Sequence, residues 1–508
     1  QSSETVFAIQ GGSAGIKVGV AITLMARRLD KSAAEATKIF YRDFDHARAS
    51  ERRAALLESL NQEPVYHSLD PLPELGFPFK PRTMGRDYLS WPILPDLFPT
   101  YFPGVKTSRD DFLVDIDRDR LLHRMMTYFD PTVSHDAMRR QYPGIMTDSA
   151  RFRTEAARDM LRQRGFLPNH IVRYAYRPFD VRWLYWEPET KLLDEKRTDY
   201  FVQIVDGNYC LVTQQKPRRG WSVAQITRSI GCLDLMDRGA SFFPLFLRNP
   251  LGEEPHPNLS QQADAYLNEW GEAAESLIFH ALAILHSPAY QQENADALRQ
   301  DWPRLPLPAS HERLKTSAAL GRQLAALLDS ETPAPGITAG KIRPELRVIA
   351  VLSHLEVGKS LDPATGDLDL TTGWGHAGKG GVTMPGRGKI IERDYTPVEL
   401  AALGEAVTLL GERTCDVYLN DRACWRNIPD RIWNYSLGGY PVIKKWLSYR
   451  EKALLGRSLK PEEAREVSQM IRRITAIVLM EAELDGNYQA VTAAESRLKS
   501  RSSPRLAG

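Results

Sequence analysis

Apolar residues recur at helical spacing along much of the chain and cluster as short β-prone runs elsewhere. Helical spacing predicts helices over residues 50–60, 119–129, 149–164, 260–286, 294–300, 312–328, 397–409 and 460–480. β-prone runs predict strands over residues 5–8, 18–26, 38–43, 181–186, 201–205, 209–212 and 242–247, with a hairpin turn at 206–208. Strands dominate residues 171–248 and helices follow residue 250. The pattern therefore predicts a multi-part α+β fold.

Dense prolines between residues 70 and 103 interrupt regular structure and indicate a boundary between domains. A chain of 508 residues is too long for one compact core, so several domains are expected. We divide it into residues 1–68, a strand-rich part at 69–250, a helical part at 251–335, and a second mixed part at 336–508 that ends in helices. Because the sequence enters a strand-like segment directly after Gln1, we expect it to be the tail of a longer polypeptide.

The formal net charge of +2 is close to neutral, so a surface that binds nucleic acid has to be a local patch. Residues 431–473 hold ten Lys or Arg against four Glu, and this excess includes Lys444, Lys445 and Arg450. The alternative interpretation of the same run is a solvated helix face.

Four widely spaced cysteines are too few for a zinc ribbon or a disulfide scaffold, so we expect reduced, structural thiols. The sequence has no run of eighteen apolar residues and no signal-peptide pattern at its start. These features predict a cytoplasmic protein.

Arginines and aromatic residues alternate over residues 173–185, and a basic run ending in Trp221 follows at 214–221. Such a mixture suits nucleic acid, because cations hold phosphates and planar groups reach bases. The candidate cations are Arg173, Arg177, Arg182, Lys216, Arg218 and Arg219. The aromatic residues that either stack on bases or pack in the core, with core packing favoured for a strand, are Tyr174, Tyr176, Trp183, Tyr185 and Trp221.

Two further sets are candidate DNA contacts. Gln214 and Gln215 are candidate adenine readers, because an amide can bond both N6 and N7 of adenine in the major groove. Their alternative is a strand end with solvated amides. A loop with Lys106, Thr107 and Arg109 precedes the helix at 119–129 and is suited to gripping a phosphate, although such a surface loop is more often solvated.

Five motifs occur in the order found in one family. They are Tyr-Arg-Pro-Phe-Asp-x-Arg-Trp at 176–183, Gly-Val-Lys-Thr-Ser-Arg-Asp at 104–110, Pro-Arg-Leu-Pro at 303–306, Ile-Trp-Asn-Tyr-Ser-Leu-Gly-Gly-Tyr at 432–440 and Lys-Trp-Leu-Ser-Tyr-Arg at 445–450. The chain thus resembles the target recognition region of type ISP restriction-modification enzymes and related adenine-specific DNA methyltransferases. The resemblance implies binding of double-stranded DNA, sequence recognition, and presentation of an adenine to an upstream methyltransferase domain that uses S-adenosylmethionine. In type ISP enzymes it also implies nuclease and translocase domains in the same polypeptide.

The start of the chain resembles the last strands of the Rossmann-like methyltransferase domain of that family. Val-Phe-Ala-Ile at 6–9 and Gly-Val-Ala-Ile at 19–22 carry this resemblance, although Ala8 stands where an acidic residue is common. The catalytic Asn/Asp-Pro-Pro-Tyr/Phe loop, which holds a flipped adenine, is missing: the Asp-Pro pairs at Asp70, Asp130 and Asp362 lack the second proline. We therefore expect no methylation by this chain alone and no cofactor or metal within it.

Two other motifs are decoys. Residues 373–378 fit Gly-x-Gly-x-x-Gly, but no buried strand precedes them and no helix follows, so a hairpin or loop is predicted. Asp180 and Asp194 imitate the acidic pair of a magnesium-dependent nuclease, whereas a turn cap or a pairing with arginine explains Asp180 more simply. A nuclease and a module that binds protein or RNA remain the alternatives to DNA recognition.

Overall fold

A computed structural model describes residues 23–26, 38–43, 48–63, 65–69, 72, 75, 83–217, 220–237, 239–248, 254–378 and 382–493. The chain falls into two compact units, residues 1–83 with 502–508 and residues 84–501. In the first unit, β1 (Ile39–Tyr41) precedes helix α1 (Ala49–Glu58) and pairs antiparallel with β2 (His67–Leu69). The predicted strands at 5–8 and 18–22 lie outside the described residues, and residues 23–26 have no regular structure. The methyltransferase tail therefore stays a prediction.

The second unit alternates short strands with helices. Its strands are β3 (Phe102–Pro103), β4 (Val114–Asp115), β5 (Ile171–Arg177), β6 (Asp180–Tyr185), β7 (Cys210–Thr213), β8 (Gln225–Thr227), β9 (Ile230–Gly231), β10 (Ser241–Pro244), β11 (Phe246–Leu247), β12 (His256–Pro257), β13 (Val351–His354), β14 (Gly375–Ala377), β15 (Thr383–Pro385), β16 (Ile390–Asp394), β17 (Arg413–Tyr418), β18 (Ala423–Pro429), β19 (Ser436–Leu437) and β20 (Tyr440–Pro441).

Its helices are α2 (Leu94–Leu97), α3 (Asp110–Leu113), α4 (Arg118–Phe129), α5 (His135–Gln141), α6 (Thr154–Arg164), α7 (Thr198–Phe201), α8 (Gln261–Asn268), α9 (Ala274–His286), α10 (Pro288–Glu293), α11 (His311–Leu328), α12 (Pro344–Arg347), α13 (Pro397–Leu403), α14 (Val407–Leu410), α15 (Asp430–Trp433), α16 (Val442–Arg450), α17 (Lys452–Leu455), α18 (Pro461–Leu479) and α19 (Glu481–Thr492).

Three four-stranded sheets organise this unit. The first has the order β4-β6-β5-β9, with β5 and β9 parallel, and the second has the order β3-β10-β7-β8. Both sheets contribute to one apolar core, in which Tyr174 and Leu184 of the first sheet are buried with Val212 and Phe242 of the second. The third sheet, β13-β18-β17-β16, is antiparallel and lies in the C-terminal part of the chain. Burial of these side chains is the main favourable term that holds the sheets together.

Helices α9 and α11 pack closely, because Gly321 lets two backbones approach. A Cβ at Gly321 would lie 1.8 Å from the carbonyl oxygen of Phe279. Buried His280 bonds Ser317 across the same interface at 2.8 Å. Ser260 and Ser310 cap the N-termini of α8 and α11, because their side-chain oxygens accept a backbone N–H in the first turn of each helix.

The predicted helices at 119–129, 312–328 and 460–480 are confirmed as α4, α11 and α18, and the α+β class is confirmed by the mixture of small sheets and helices. The predicted strand at 201–205 is wrong, so the turn that does occur at 206–207 does not close a hairpin. Residues 198–201 form α7 instead, and Phe201 stacks on Trp186 with ring centroids 3.7 Å apart. The helix predicted over 260–286 is two helices, α8 and α9. Within the described residues, no helix is long and apolar enough to cross a membrane.

Candidate nucleic-acid interface

The hairpin β5–β6 buries most of its aromatic residues, as predicted. Tyr174 and Tyr185 have no exposed surface and Tyr176 is 5% exposed. Trp183 is half-buried, with the guanidinium of Arg173 4.5 Å from its ring. The hydroxyl of Tyr176 donates to the carboxylate of Asp110 at 2.8 Å. These rings therefore form the support of the hairpin and are not free to stack on bases.

The turn of this hairpin contains a buried ion triad. Arg182 donates to Asp180 Oδ2 through Nε and Nη2 at 3.0 and 2.7 Å, and Arg450 donates to Oδ1 at 2.9 Å. Burial by itself would raise the pKa of Asp180, but the two guanidinium groups outweigh it and hold that pKa well below its usual range. Phe179, next in the turn, has a φ of +57°, a backbone conformation that favours glycine.

Two predicted phosphate contacts, Arg182 and Arg450, belong to this triad and are buried. Arg182 is 8% exposed and lies between the rings of Tyr176 and Tyr449, at 4.0 and 4.2 Å. Arg450 is 2% exposed. Both guanidinium groups are taken up by Asp180, so neither is open to a phosphate in this structure. The predicted pairing of Asp180 with arginine is confirmed.

Arg173 and Arg177 are half-buried and keep internal partners. Arg173 bonds the carboxylate of Glu331 at 2.5 Å. Arg177 donates to the carbonyl of Tyr176 at 2.6 Å and contacts the sulfur of Cys232 at 3.3 Å. A phosphate would have to compete with these partners.

The segment with Lys106, Thr107 and Arg109 lies against residues 191–195, and Lys106 forms a β-bridge with Glu195. Thr107 is buried and bonds Asp110, which corrects its predicted role as a phosphate ligand. Arg109 donates to the carbonyls of Lys191 and Leu192 at 3.2 and 2.9 Å. Lys106 is exposed but pairs with Asp194 at 2.7 Å.

The loop after β7 holds the two predicted adenine readers in different environments. Gln214 is 6% exposed and donates to the carbonyl of Asp237 at 2.9 Å, so its amide is not available to a base, which corrects that prediction. Gln215 and Lys216 are exposed, and Gln215 donates to Asp301 at 2.8 Å. Arg218 and Arg219 lie outside the described residues.

A glycine turn joins this loop to the C-terminal part of the chain. Gly438 donates its backbone N–H to the hydroxyl of Ser222 at 2.6 Å and accepts from the N–H of Asp237 at 2.7 Å. Tyr440 donates to the carbonyl of Asp234 at 2.9 Å. At the same junction, Trp221 is half-buried and lines a cleft of about 440 Å³ together with residues of this turn. Motifs separated by more than two hundred residues of sequence therefore meet here.

Helix α16 follows that turn and brings its basic residues to the neighbouring hairpin β14–β15. Lys444 and Lys445 are half-buried. Lys445 Nζ lies 4.4 Å from the ring of Tyr449 and 3.4 Å from the carbonyl oxygen of Thr383. Of the predicted contacts whose placement is described, Lys106, Gln215 and Lys216 are exposed, and Lys444 and Lys445 are half-buried.

Sequence reasoning missed Asp110 and the Gly438-Gly439 turn, which organise the region. Asp110 accepts hydrogen bonds from Thr107 and Tyr176, whereas Gly438 of the turn donates to Ser222 and accepts from the N–H of Asp237. Both lie inside family motifs, at 104–110 and 432–440, but nothing in a single sequence indicates which distant groups such residues contact.

The carboxylates of the nuclease alternative are already occupied. Asp180 is saturated by two arginines, and Asp194 bonds Lys106 and Ser108. The hydrogen bond from Lys106 holds the pKa of Asp194 below its usual value. No group of three or more His, Cys, Asp or Glu suited to a metal occurs among the residues that the structure describes.

The fold is similar to three solved structures. The cryo-EM structure of a DrdV–DNA complex gives a TM-score of 0.58 at 19% identity, over 89% of this chain and 43% of that chain. A nuclease-deletion mutant of the Type ISP restriction-modification enzyme LlaGI, in complex with a DNA substrate mimic, gives 0.54 at 15% identity, over 92% and 40%. The ATP-dependent Type ISP restriction-modification enzyme LlaBIII, bound to DNA, gives 0.53 at 15% identity, over 91% and 28%.

At these identities the likeness shows the fold alone, and the chain spans less than half the length of each of these proteins. No curated protein gives a significant match. The family model named Type ISP C-terminal specificity domain matches residues 96–477. This match covers most of the chain, including all five ordered motifs, and so the chain belongs to the Type ISP C-terminal specificity domain family.

Proposed function

We propose that this chain recognises a short DNA sequence as the specificity module of a restriction-modification enzyme. The observation that carries the proposal is the family match over residues 96–477, which includes the accessible cations of the loop after β7 and of α16. The DNA named for the three similar structures supports the same partner. The proposed partner is double-stranded DNA and the proposed place of action is the cytoplasm.

In this proposal, Gln215 reads a base, and the lysines and arginines that are not buried in ion pairs hold phosphates. Gln215 lies exposed at the end of β7, and in this proposal its amide exchanges the hydrogen bond to Asp301 for bonds to N6 and N7 of adenine. Lys216, Lys444 and Lys445 supply positive charge, with Arg218 and Arg219 contributing from the segment outside the described residues. The Asp180 triad holds the β5–β6 turn against α16, so that these elements keep a fixed relation.

We propose further that recognition presents an adenine to a methyltransferase domain elsewhere in the enzyme, which would bind S-adenosylmethionine. The described residues do not fit that cofactor themselves. The unit that would cradle it, a glycine-rich turn between a parallel strand and a helix, does not occur in the described ranges. Methylation, cleavage and translocation would therefore belong to other parts of such an enzyme.

Selection from a random pool of duplexes tests the proposal. The chain should enrich one short sequence, and its affinity for that sequence should fall steeply as salt rises, because phosphate contacts release counterions. Failure to enrich any sequence, together with salt-independent binding, would reject DNA recognition and favour the protein-interaction alternative. Structured RNA added as a competitor distinguishes an RNA-binding module.

The nuclease alternative has its own test. Incubation with magnesium and plasmid should leave the DNA intact. Cleavage that disappears in Asp194→Ala would overturn the assignment in favour of a metal-dependent nuclease.

A further inference from the structure

The glycine-rich hairpin β14–β15 is an ordered part of the fold, and the proposed function assigns it no role in DNA recognition. As predicted, residues 373–378 do not form a phosphate-binding loop. Instead β14 and β15 pair antiparallel, with His376 opposite Met384 and Ala377 opposite Thr383. Gly378 donates to the carbonyl of Val382 at 2.7 Å near the end of the hairpin.

Close packing fixes the root of this hairpin. A Cβ at Gly375 would lie 2.0 Å from the carbonyl oxygen of Ser448 in α16. A Cβ at Gly388, where φ is +64°, would lie 2.2 Å from the ring of Trp374, which is fully buried. These glycines therefore serve close contact of the hairpin with its support.

Hydrogen bonds complete the attachment. The carboxylate of Glu451, the residue after α16, accepts the N–H groups of Gly373 and Trp374 at 3.2 and 2.8 Å. The indole N–H of Trp374 donates to the carbonyl of Tyr418 at 2.8 Å. Burial raises the pKa of Glu451, and the backbone donors counteract that shift. The hairpin is thus held by α16 on one side and by the third sheet on the other.

Two large apolar side chains of the hairpin segment are exposed. Val382 is 62% exposed and Met384 is 47% exposed. Because side chains two residues apart in a strand share a face, Val382 and Met384 lie on the same side, and the cross-strand partner His376 joins them. Val382 and Met384 are therefore large apolar side chains that the described part of the chain leaves open to contact.

The charged residues of the sequence around this apolar pair are all basic. Arg387 and Lys389 are exposed, and the sequence has no Asp or Glu between Leu370 and Ile391. Lys445 of α16 lies against β15, with its Nζ 3.4 Å from the carbonyl oxygen of Thr383. A polyanion complements this arrangement, and it would meet the hairpin and α16 together.

We propose that the β14–β15 hairpin inserts Val382 and Met384 into the minor groove of the bound duplex and bends it, with Arg387 and Lys389 holding the flanking phosphates. This inference rests on the proposed function. Proteins that bend DNA from the minor groove use apolar wedges of this kind between base steps, flanked by basic residues. The exposed face carries two apolar side chains and one imidazole. It therefore has too few hydrogen-bonding groups to read the donors and acceptors of the major groove.

The wedge is tested with Val382→Ser/Met384→Ser in the full chain. Both side chains are exposed, so the melting temperature should stay at the wild-type value. Affinity for the selected duplex should fall at least about fivefold. Energy transfer between dyes on the two duplex ends should show a smaller bend than with the wild-type chain.

Val398→Ser/Leu400→Ser is the matched control, because these residues are also an exposed apolar pair, 74% and 44% exposed, but lie on α13. It should bind and bend DNA as the wild type does. A second readout is competition with distamycin, which occupies the minor groove of A·T-rich DNA. Distamycin should weaken wild-type binding more than binding by the wedge variant.

The outcomes separate the two levels of the proposal. If the wild-type chain binds no duplex, the proposed function fails and the hairpin inference fails with it. If it binds duplex DNA but the wedge variant keeps wild-type affinity, bend and distamycin sensitivity, the hairpin inference alone is overturned. Loss of binding to another protein, with DNA binding unchanged, would identify a protein-docking hairpin and overturn it as well.

Discussion

The carboxylate of Asp180 accepts a hydrogen bond of 2.9 Å from Arg450, a residue 270 positions later in the chain. Both side chains are almost completely buried, with 1% and 2% of their surface exposed. The contact ties the turn of the β5–β6 hairpin to the end of α16. It places two sequence motifs of the family in one structural unit.

Asp180→Asn should destabilise the protein strongly. The substitution removes the charged carboxylate that both buried guanidinium groups of Arg182 and Arg450 bond, which costs about 3–5 kcal/mol of unfolding free energy. Urea denaturation followed by tryptophan fluorescence measures the loss. Asp194→Asn is the control, because its partner Lys106 is half exposed, and an exposed pair of this kind contributes less than about 1 kcal/mol. Equal losses in the two variants would contradict the central role of the triad.

The stabilising effect of Asp180 should depend on pH in one direction. Its pKa in the folded chain is below its usual value, so its contribution is fully present above the unfolded pKa of about 3.9 and is lost as pH falls towards the folded value. The difference in unfolding free energy between the wild type and Asp180→Asn should be constant from pH 6 to 8 and shrink below about pH 4. A difference that grows on acidification would contradict the ion triad.

Replacing Lys216, Arg218 and Arg219 with alanine should weaken binding to all duplexes alike. Each lost phosphate contact lowers the slope of log affinity against log salt by about 0.9, so loss of all three would flatten it by about 2.7. Fluorescence anisotropy at several salt concentrations measures the slope. Lys341→Ala, which removes another exposed lysine, should leave it unchanged. An unchanged slope in the triple variant would reject the phosphate role.

Alanine substitutions of the neighbouring Gln214 and Gln215 should affect different properties, stability for the first and base preference for the second. Gln215→Ala should relax the preference at one adenine position by about 1–3 kcal/mol. Its effect on stability should be small, because the hydrogen bond that it removes, to Asp301, is exposed to solvent. Gln214→Ala should cost about 1 kcal/mol of stability, because it removes a buried hydrogen bond to the carbonyl of Asp237. Affinities for duplexes with single base changes, compared with melting temperatures, separate these effects. A loss of base preference in Gln214→Ala with no loss of stability would reverse the assignment.

Gly321→Ala should disrupt the packing of α9 on α11. The added methyl group would meet the carbonyl of Phe279 at 1.8 Å, so the helices must separate. We expect destabilisation of about 1–3 kcal/mol, the usual cost of overpacking. The control is Ala319→Gly, on the exposed face of α11, which should cost about 1 kcal/mol from helix propensity alone. Gly271→Ala, in the turn between α8 and α9, is unsuitable as a control because the φ of Gly271 is positive.

Local sequence patterns were sufficient to predict the class of fold and the places of the long helices. Helix α11 and helix α18 repeat apolar residues at helical spacing, and this local pattern is enough because each residue of a helix bonds within its own segment. The ordered motifs likewise led to the family, because a family is identified from residues in sequence order. The strand prediction at 201–205 was wrong because it used only local β propensity. The ring of Phe201 instead stacks on Trp186, which is remote in the sequence, and local propensity contains no information on such a contact.

The tertiary structure decided which charged and aromatic residues are available for binding. Arg182 and Arg450 are basic residues in motifs suited to phosphate contact, yet both are buried around Asp180. Gln214 and Gln215 are adjacent and identical, and only the backbone path after β7 buries one and exposes the other. Exposure and pairing depend on partners tens to hundreds of residues away, and the three-dimensional packing of the chain brings those partners together.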